Sequence, residues 1–299
     1  MAGFFTARIL VPTPMLDKSD ALSGDFFAIP DIHVIRMHGR DAIVFAQAQF
    51  MNDVAALADG QWQWNGWLTP KGRVVALFAV LRVDGETLRL LLLDADPAGF
   101  VERLQRFVFR SKVTLASEAD VAVAGAFAAP GSARGAQASV NDDGATELDL
   151  GGVDEPRTLR IGAGPATIDP VAHGRWRALD LAHGLPRLEP SQLEQWTPQQ
   201  LSLDRLRAFS VKKGCYPGQE IVARTHFLGQ VKRGLARLHI DAATVSAGDE
   251  VAAATGGGRI VCSQGAEALA VLPLDPAPVD LQVGGTAARA LPLLDGLAR

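Results

Sequence analysis

Two periodicities alternate along the first half of the chain. Asp31 to Met37 alternates apolar and polar residues and predicts a strand. His38-Gly39-Arg40-Asp41 reads as a turn with a helix start at Asp41. From Ala42 to Ala58, Ile43, Ala46, Phe50, Val54 and Leu57 recur at steps of three and four, the stripe of a single helix face. Asn52 and Asp53 fall inside that predicted helix. Gln61 to Trp67 then switches to period two, with aromatic and polar residues in alternation. It predicts a strand presenting three tryptophans as one apolar wall. Strands follow over Val74 to Val83 and Leu88 to Leu93, joined through the tight turn Asp84-Gly85-Glu86. Pro97 to Phe109 returns to the helical step, with Arg103, Arg106 and Arg110 opposite Phe100, Leu104, Phe107 and Val108.

The rest is more broken. Residues 12–25 are polar and proline-containing and predict an extended arm. Residues 129–145 predict a surface loop, with strands after it over Thr146 to Leu150 and Thr158 to Ile161. Beyond Arg224, short apolar runs sit between glycine-rich turns: 234–240, 250–253, 259–262, 266–272 and 286–291. That spacing predicts a small β-barrel.

At 299 residues the chain has room for two or three domains. A formal charge of −4 gives no basic excess for general nucleic-acid binding, so no direct nucleic-acid partner is expected. No apolar run reaches the length of about 18 residues that spans a membrane. The first 16 residues lack a basic start and are interrupted by Pro12 and Pro14, so a signal peptide is not predicted and the cytoplasm is the expected compartment. The six histidines show no metal-ligand spacing. The two cysteines, Cys215 and Cys262, form no C-x-x-C pair and cannot by themselves hold a cluster. Cys262 lies in a predicted barrel strand and reads as core.

Cys215 has a different setting. Phe209 to Arg224 places Lys212 and Lys213 before it, Gly214 and Gly218 on either side, and a Tyr216-Pro217-Gly218 turn after it. Nearby cations favour thiolate, and glycines let the backbone turn and let other groups approach. This describes a thiol presented on a charged loop, followed by a regular element from Glu220.

Lys213-Gly-Cys-Tyr-Pro-Gly-Gln-Glu220 resembles the K-G-C-Y-x-G-Q-E signature of the YgfZ proteins, relatives of the glycine cleavage T-protein. Gly39-x-Asp41 with Phe45 and Asn52-Asp53-Val54, the turn Leu68 to Arg73, Trp176 to Pro186, and Gln195 to Asp204 are similar to further family segments. The resemblance implies an α+β, T-protein-like ring of three subdomains with a central cavity. Residues 1–228 would form the folate-binding region of two interleaved α+β subdomains, and 229–299 the C-terminal β-barrel. It implies tetrahydrofolate as ligand, held by Trp176, Asp180, Asn52, Asp53 and Trp64. It implies Cys215 as a reactive thiol, with Lys213, Gly214, Tyr216, Gly218, Gln219, Glu220 and Arg224 shaping its loop. The implied role is iron–sulfur cluster assembly or repair, with a transient cluster at Cys215 and indirect support of tRNA thio-modification. Partners would be iron–sulfur assembly or client proteins, and the chain a monomer. One departure stands out: the glutamate that the T-protein uses toward the pterin is here Ala182. That weakens the alternative, a folate-dependent aminomethyl or one-carbon transferase.

Overall fold

The structure, a computed structural model, describes residues 25–152, 155–162, 167–229, 231–241 and 244–299. The predicted polar arm over 12–25 lies outside these residues, apart from Asp25.

In chain order the elements are β1 (Phe27–Ala28), β2 (Ile32–His38), α1 (Ala42–Gln49), β3 (Trp62–Leu68), β4 (Val74–Arg82), β5 (Thr87–Leu93), α2 (Pro97–Gln105) and β6 (Thr114–Ser117). There follow β7 (Ala122–Ala126), β8 (Ser139–Val140), β9 (Thr146–Asp149), β10 (Thr158–Gly162), α3 (Pro170–Ala182) and α4 (Gln219–Phe227). Last come β11 (Arg233–Ile240), β12 (Glu250–Ala252), β13 (Gly258–Gln264), β14 (Glu267–Pro273), β15 (Gln282–Val283) and β16 (Thr286–Leu291). They build two five-stranded sheets, β3-β4-β5-β2-β6 and β1-β7-β10-β9-β8, and a closed barrel in the order β11-β14-β13-β12-β15-β16. The fold is thus α+β, and the barrel expected after Arg224 is present.

β3 is buried along its whole length because both faces of its sheet are covered. On one side Trp62 and Trp64 join the core shared by the two sheets, α3 and one flank of the barrel. On the other, Trp67 joins the core beneath α1 and α2, edge-on to Phe100 and Phe107. The expected wall of three indoles is therefore split. Strand residues two apart share a face, and the three-residue step from Trp64 to Trp67 reverses it.

The long helix predicted from Ala42 to Ala58 also stops early. α1 ends at Gln49, and Phe50 turns extended to bridge Trp67. Only a single 3-10 turn, Val54–Ala56, follows. Asn52 and Asp53 are therefore not helical. Tertiary hydrogen bonds hold Asn52 instead: its Nδ2 donates to Trp64 O at 2.9 Å and to Arg207 O at 2.7 Å, and its N–H donates to Asn65 Oδ1 at 2.9 Å. α2 starts where expected, with the Asp96 side chain accepting from Ala98 N and Gly99 N, but ends at Gln105. α3 begins with the same cap-and-proline device, Asp169 before Pro170.

Candidate functional site

The cysteine loop is anchored at both ends. Lys213 turns inward and is buried, and its Nζ donates to the carbonyls of Gln47 at 2.6 Å, Phe50 at 2.5 Å and Asn52 at 3.0 Å. Three carbonyls at the end of α1 thus use all three donors of one ammonium. Burial pushes the Lys213 amine down to about 8, against the pull of Asp53. Lys213 thus fastens the floor of the loop to the end of α1. The Tyr216 hydroxyl donates to Ser210 O at 3.2 Å and Gln219 Nε2 to Lys213 O at 3.1 Å, closing the loop on itself.

Gly218 sits at φ +79°, where a Cβ would lie 2.6 Å from Thr69 O and 2.7 Å from Gly72 Cα. Glycine is required there on both counts, and it lets the loop pack directly on the β3–β4 turn. At Gly214 a Cβ would meet nothing, so its backbone is open to solvent. Glu220 and Arg224 make no side-chain bond among the described residues. They occupy the first and last turns of α4, the ends at which an acid and a base suit the helix dipole. The product of these contacts is an exposed Cys215. Cys262 is sealed in β13, where burial pushes its thiol up to about 12.

The residues expected around folate come together only in part. Trp64, Trp176 and Asp180 border one interior void between the two sheets, of about 10 Å³. That is room for about one water molecule, and a pterin does not fit. Asp180 is not available to a ligand. It accepts from Arg157 Nη1 at 2.7 Å and Arg187 Nη1 at 2.8 Å, all three side chains being buried. Arg187 continues the network to Asp94 and Asp31, joined there by Arg177 and His173. Asn52 and Asp53 lie apart from this void, on the Lys213 side. Cys215 does not border it either.

More room lies elsewhere. Pro217, two residues after Cys215, lines a cleft of about 240 Å³ with Trp67, Leu68, Thr69, Pro70, Val75, Arg103, Arg106 and Phe107. Sequence reading had Trp67 and the two arginines but no signal that they met beside the cysteine loop. A second cleft, of about 570 Å³, separates α3 from the barrel and includes Arg175, Arg237, His239 and Ala182. Among the described residues no cluster of His, Cys, Asp or Glu is arranged to hold a metal ion, and no helix is long and apolar enough to cross a membrane.

No protein-family model matches the sequence. Among curated proteins, the chain is 27% identical over 298 residues to the tRNA-modifying protein YgfZ of Aliivibrio fischeri, covering 89% of this chain and 91% of that one. It is 29% identical over 232 residues to the protein of the same name from an Enterobacter species, covering 70% and 69%. An uncharacterized protein of Haemophilus influenzae is 29% identical over 213 residues, covering 70% and 71%. Among solved structures, the glycine cleavage system aminomethyltransferase T from Bartonella henselae matches with a TM-score of 0.68 at 14% identity, over 90% of this chain and 85% of that one. The chain is thus similar in sequence to YgfZ proteins and shares the fold of aminomethyltransferase T.

Proposed function

We propose that this protein binds a reduced folate and acts in iron–sulfur cluster assembly or repair, with the Cys215 thiol as its working group. The observation that carries the reading is the loop itself. Lys213, Tyr216, Gly218 and Gln219 are each committed to holding it, and between Lys213 and Gln219 the one exposed side chain is the thiol. A purely structural cysteine has no use for such a mounting; Cys262, buried where β13 meets the core shared with the two sheets, is what one looks like here. After losing its proton to solvent, the Cys215 thiolate would supply one ligand to a cluster in transit, and the partner protein the others. Support of tRNA thio-modification would follow indirectly, through the iron–sulfur enzymes that perform it.

The test is complementation of a strain lacking its YgfZ-type protein, scored by the activity of its iron–sulfur enzymes. Cys215→Ser is expected to abolish complementation with an unchanged circular dichroism spectrum and melting temperature. A fully active serine variant overturns the assignment. Tetrahydrofolate with methylamine-type donors is expected to yield no methylenetetrahydrofolate at enzyme-like rates; rapid formation would favour one-carbon transfer instead.

A further inference from the structure

We infer that the outer face at the end of α2, beside the cysteine loop, is where the protein partner of Cys215 docks, and that the partner presents there an acidic segment bearing a large apolar side chain. The inference rests on Cys215 as the working thiol and says what its partner must carry.

The groove of about 240 Å³ between α2 and the β3–β4 turn is lined by Leu68, Pro70, Phe107 and Pro217, with Arg103 and Arg106. Small-molecule pockets run from about 300 Å³ upward. A single anchoring side chain of a protein partner needs less, and such anchors carry most of the affinity of an interface. Pro217 stands two residues after Cys215, and two residues span at most about 7 Å, so a segment seated against Pro217 reaches the exposed thiol. Gly214, on the other side of the thiol, has open space around it.

The same face leaves aromatic surface in water. α2 buries Phe100 and Leu104 in the core beneath it. Just past its end, Phe107 is 51% and Phe109 85% exposed. Phe107 meets Trp67 edge-on, with ring centroids 5.8 Å apart, and the rest of its ring is uncovered. Aromatic side chains and arginines together are what protein interfaces are enriched in, and exposed apolar surface beside a working group marks a binding face.

Charge selects the occupant. The chain as a whole carries −4, yet residues 102–112 hold Arg103, Arg106, Arg110 and Lys112 against Glu102 alone. Arg103 and Arg106 are held by Glu194 and Glu102 in exposed pairs, which are weak and exchangeable. Arg110 rests on the Phe109 ring at 5.3 Å, and neither it nor Lys112 has an ion pair among the described residues. Carboxylates of a partner would meet guanidiniums, the donors best matched to them. A second copy of the chain using this face in a two-fold dimer would oppose arginine to arginine. A nucleic-acid backbone would meet Glu102, Glu194 and an acidic protein around them.

Thiol–disulfide exchange on the full chain tests this. The probes are two peptides with a central cysteine activated as its thionitrobenzoate disulfide, one flanked by Asp and Leu, the other by Lys and Leu. The Cys215 thiolate attacks the peptide sulfur, the Cys215–peptide disulfide forms, and thionitrobenzoate leaves as the coloured thiolate; sealed Cys262 does not compete. Each rate is read against that of a small neutral disulfide on the same variant. The acidic peptide is expected to react about tenfold faster than the basic one at low salt, the advantage shrinking as salt is added. Lys212 beside the thiol contributes to any such preference, so the variants decide. Arg103→Gln/Arg106→Gln is expected to remove most of the advantage, and Phe107→Ser to slow both peptides about threefold, the loss of a partly exposed anchor. Val279→Ser, at an exposed apolar position in the barrel, is expected to match the parent. A Cys215 that reacts with no disulfide at all would sink the thiol reading itself. A reactive thiol that treats the two peptides alike, or keeps its preference in both the arginine and Phe107 variants, would overturn the docking face alone. So would displacement of the acidic peptide by a short single-stranded RNA, or a parent dimer that Phe107→Ser turns into a monomer.

Discussion

β3 carries indoles on both faces, and the two faces have opposite character. Toward the interior, Trp62 and Trp64 are sealed, and both indole N–H groups are satisfied by backbone carbonyls. Next to them lies a network of buried charge: Arg157, Arg187, Asp180, Asp94 and Asp31, joined by Arg177 and His173. Toward the outside, Trp67 lines an open cleft with its N–H unused and two loosely paired arginines above it. The interior spends its carboxylates and the Trp62 and Trp64 donors on the fold, although Trp176 Nε1 and two nitrogens of Arg157 are left without partners there too. A side chain's type therefore says less about its role than whether its bonds are already made.

That contrast is sharpest where a charge is removed. Asp180→Ala would leave Arg157 and Arg187 buried without their shared carboxylate. Breaking a buried pair by deleting one partner costs about 3–5 kcal/mol, so urea denaturation is expected to show a loss of that size. A near-neutral Asp180→Ala would mean that the network is not structural. Next in size is Lys213→Met, which fits the apolar stem but leaves the carbonyls of Gln47, Phe50 and Asn52 without their donor. A loss of about 2–3 kcal/mol is expected in the same assay. Faster proteolysis at the cysteine loop is expected with it.

The most gradual effect, spread over several pH units, is the acid limb of stability. Burial would raise the Asp31 carboxyl, but Arg187, His173 and Arg177 override it and hold it down to about 2, against 3.8 when unperturbed. Its contribution is complete above 3.8 and is lost as pH falls from there toward 2, because the unfolded chain takes up the proton first. The amount is about 2 kcal/mol. His183 acts in the same direction at higher pH. Burial and Arg157 press its imidazole down to about 4 from 6.5, so between those values only the unfolded chain is protonated. Melting temperatures measured from pH 7 to 3 are expected to fall in two stages, the first below 6.5. A flat profile would show that these groups are not held as described.

Much of the frame was legible in the sequence because it depends on local pattern. The alternation in β2 and β3, the apolar runs of β4 and β5, the turns between them and the glycine-spaced barrel strands are all local signals. The end of α1 did not, because Asn52 leaves the helix for Arg207 O, 155 positions away in sequence. The split of the tryptophans was written in the odd spacing from Trp64 to Trp67, and the aromatic count masked it. The cysteine loop stands out by composition, yet nothing local in the sequence shows that the partners of Lys213 are the carbonyls of Gln47, Phe50 and Asn52. The buried arginines were unreadable, since a charged side chain gives no sequence sign that it will be enclosed. So was the unused indole donor, because satisfaction is a property of the assembled molecule.

The seat of Lys213 has one further consequence. Three carbonyls converging on a point form a socket cut for a small tetrahedral cation. A guanidinium spreads its donors across a plane and would overfill it, so the position accepts lysine and refuses arginine despite equal charge. Acylation of that nitrogen would remove the charge and two of the three donors at once, and unfasten the loop from α1 without touching the sulfur it carries.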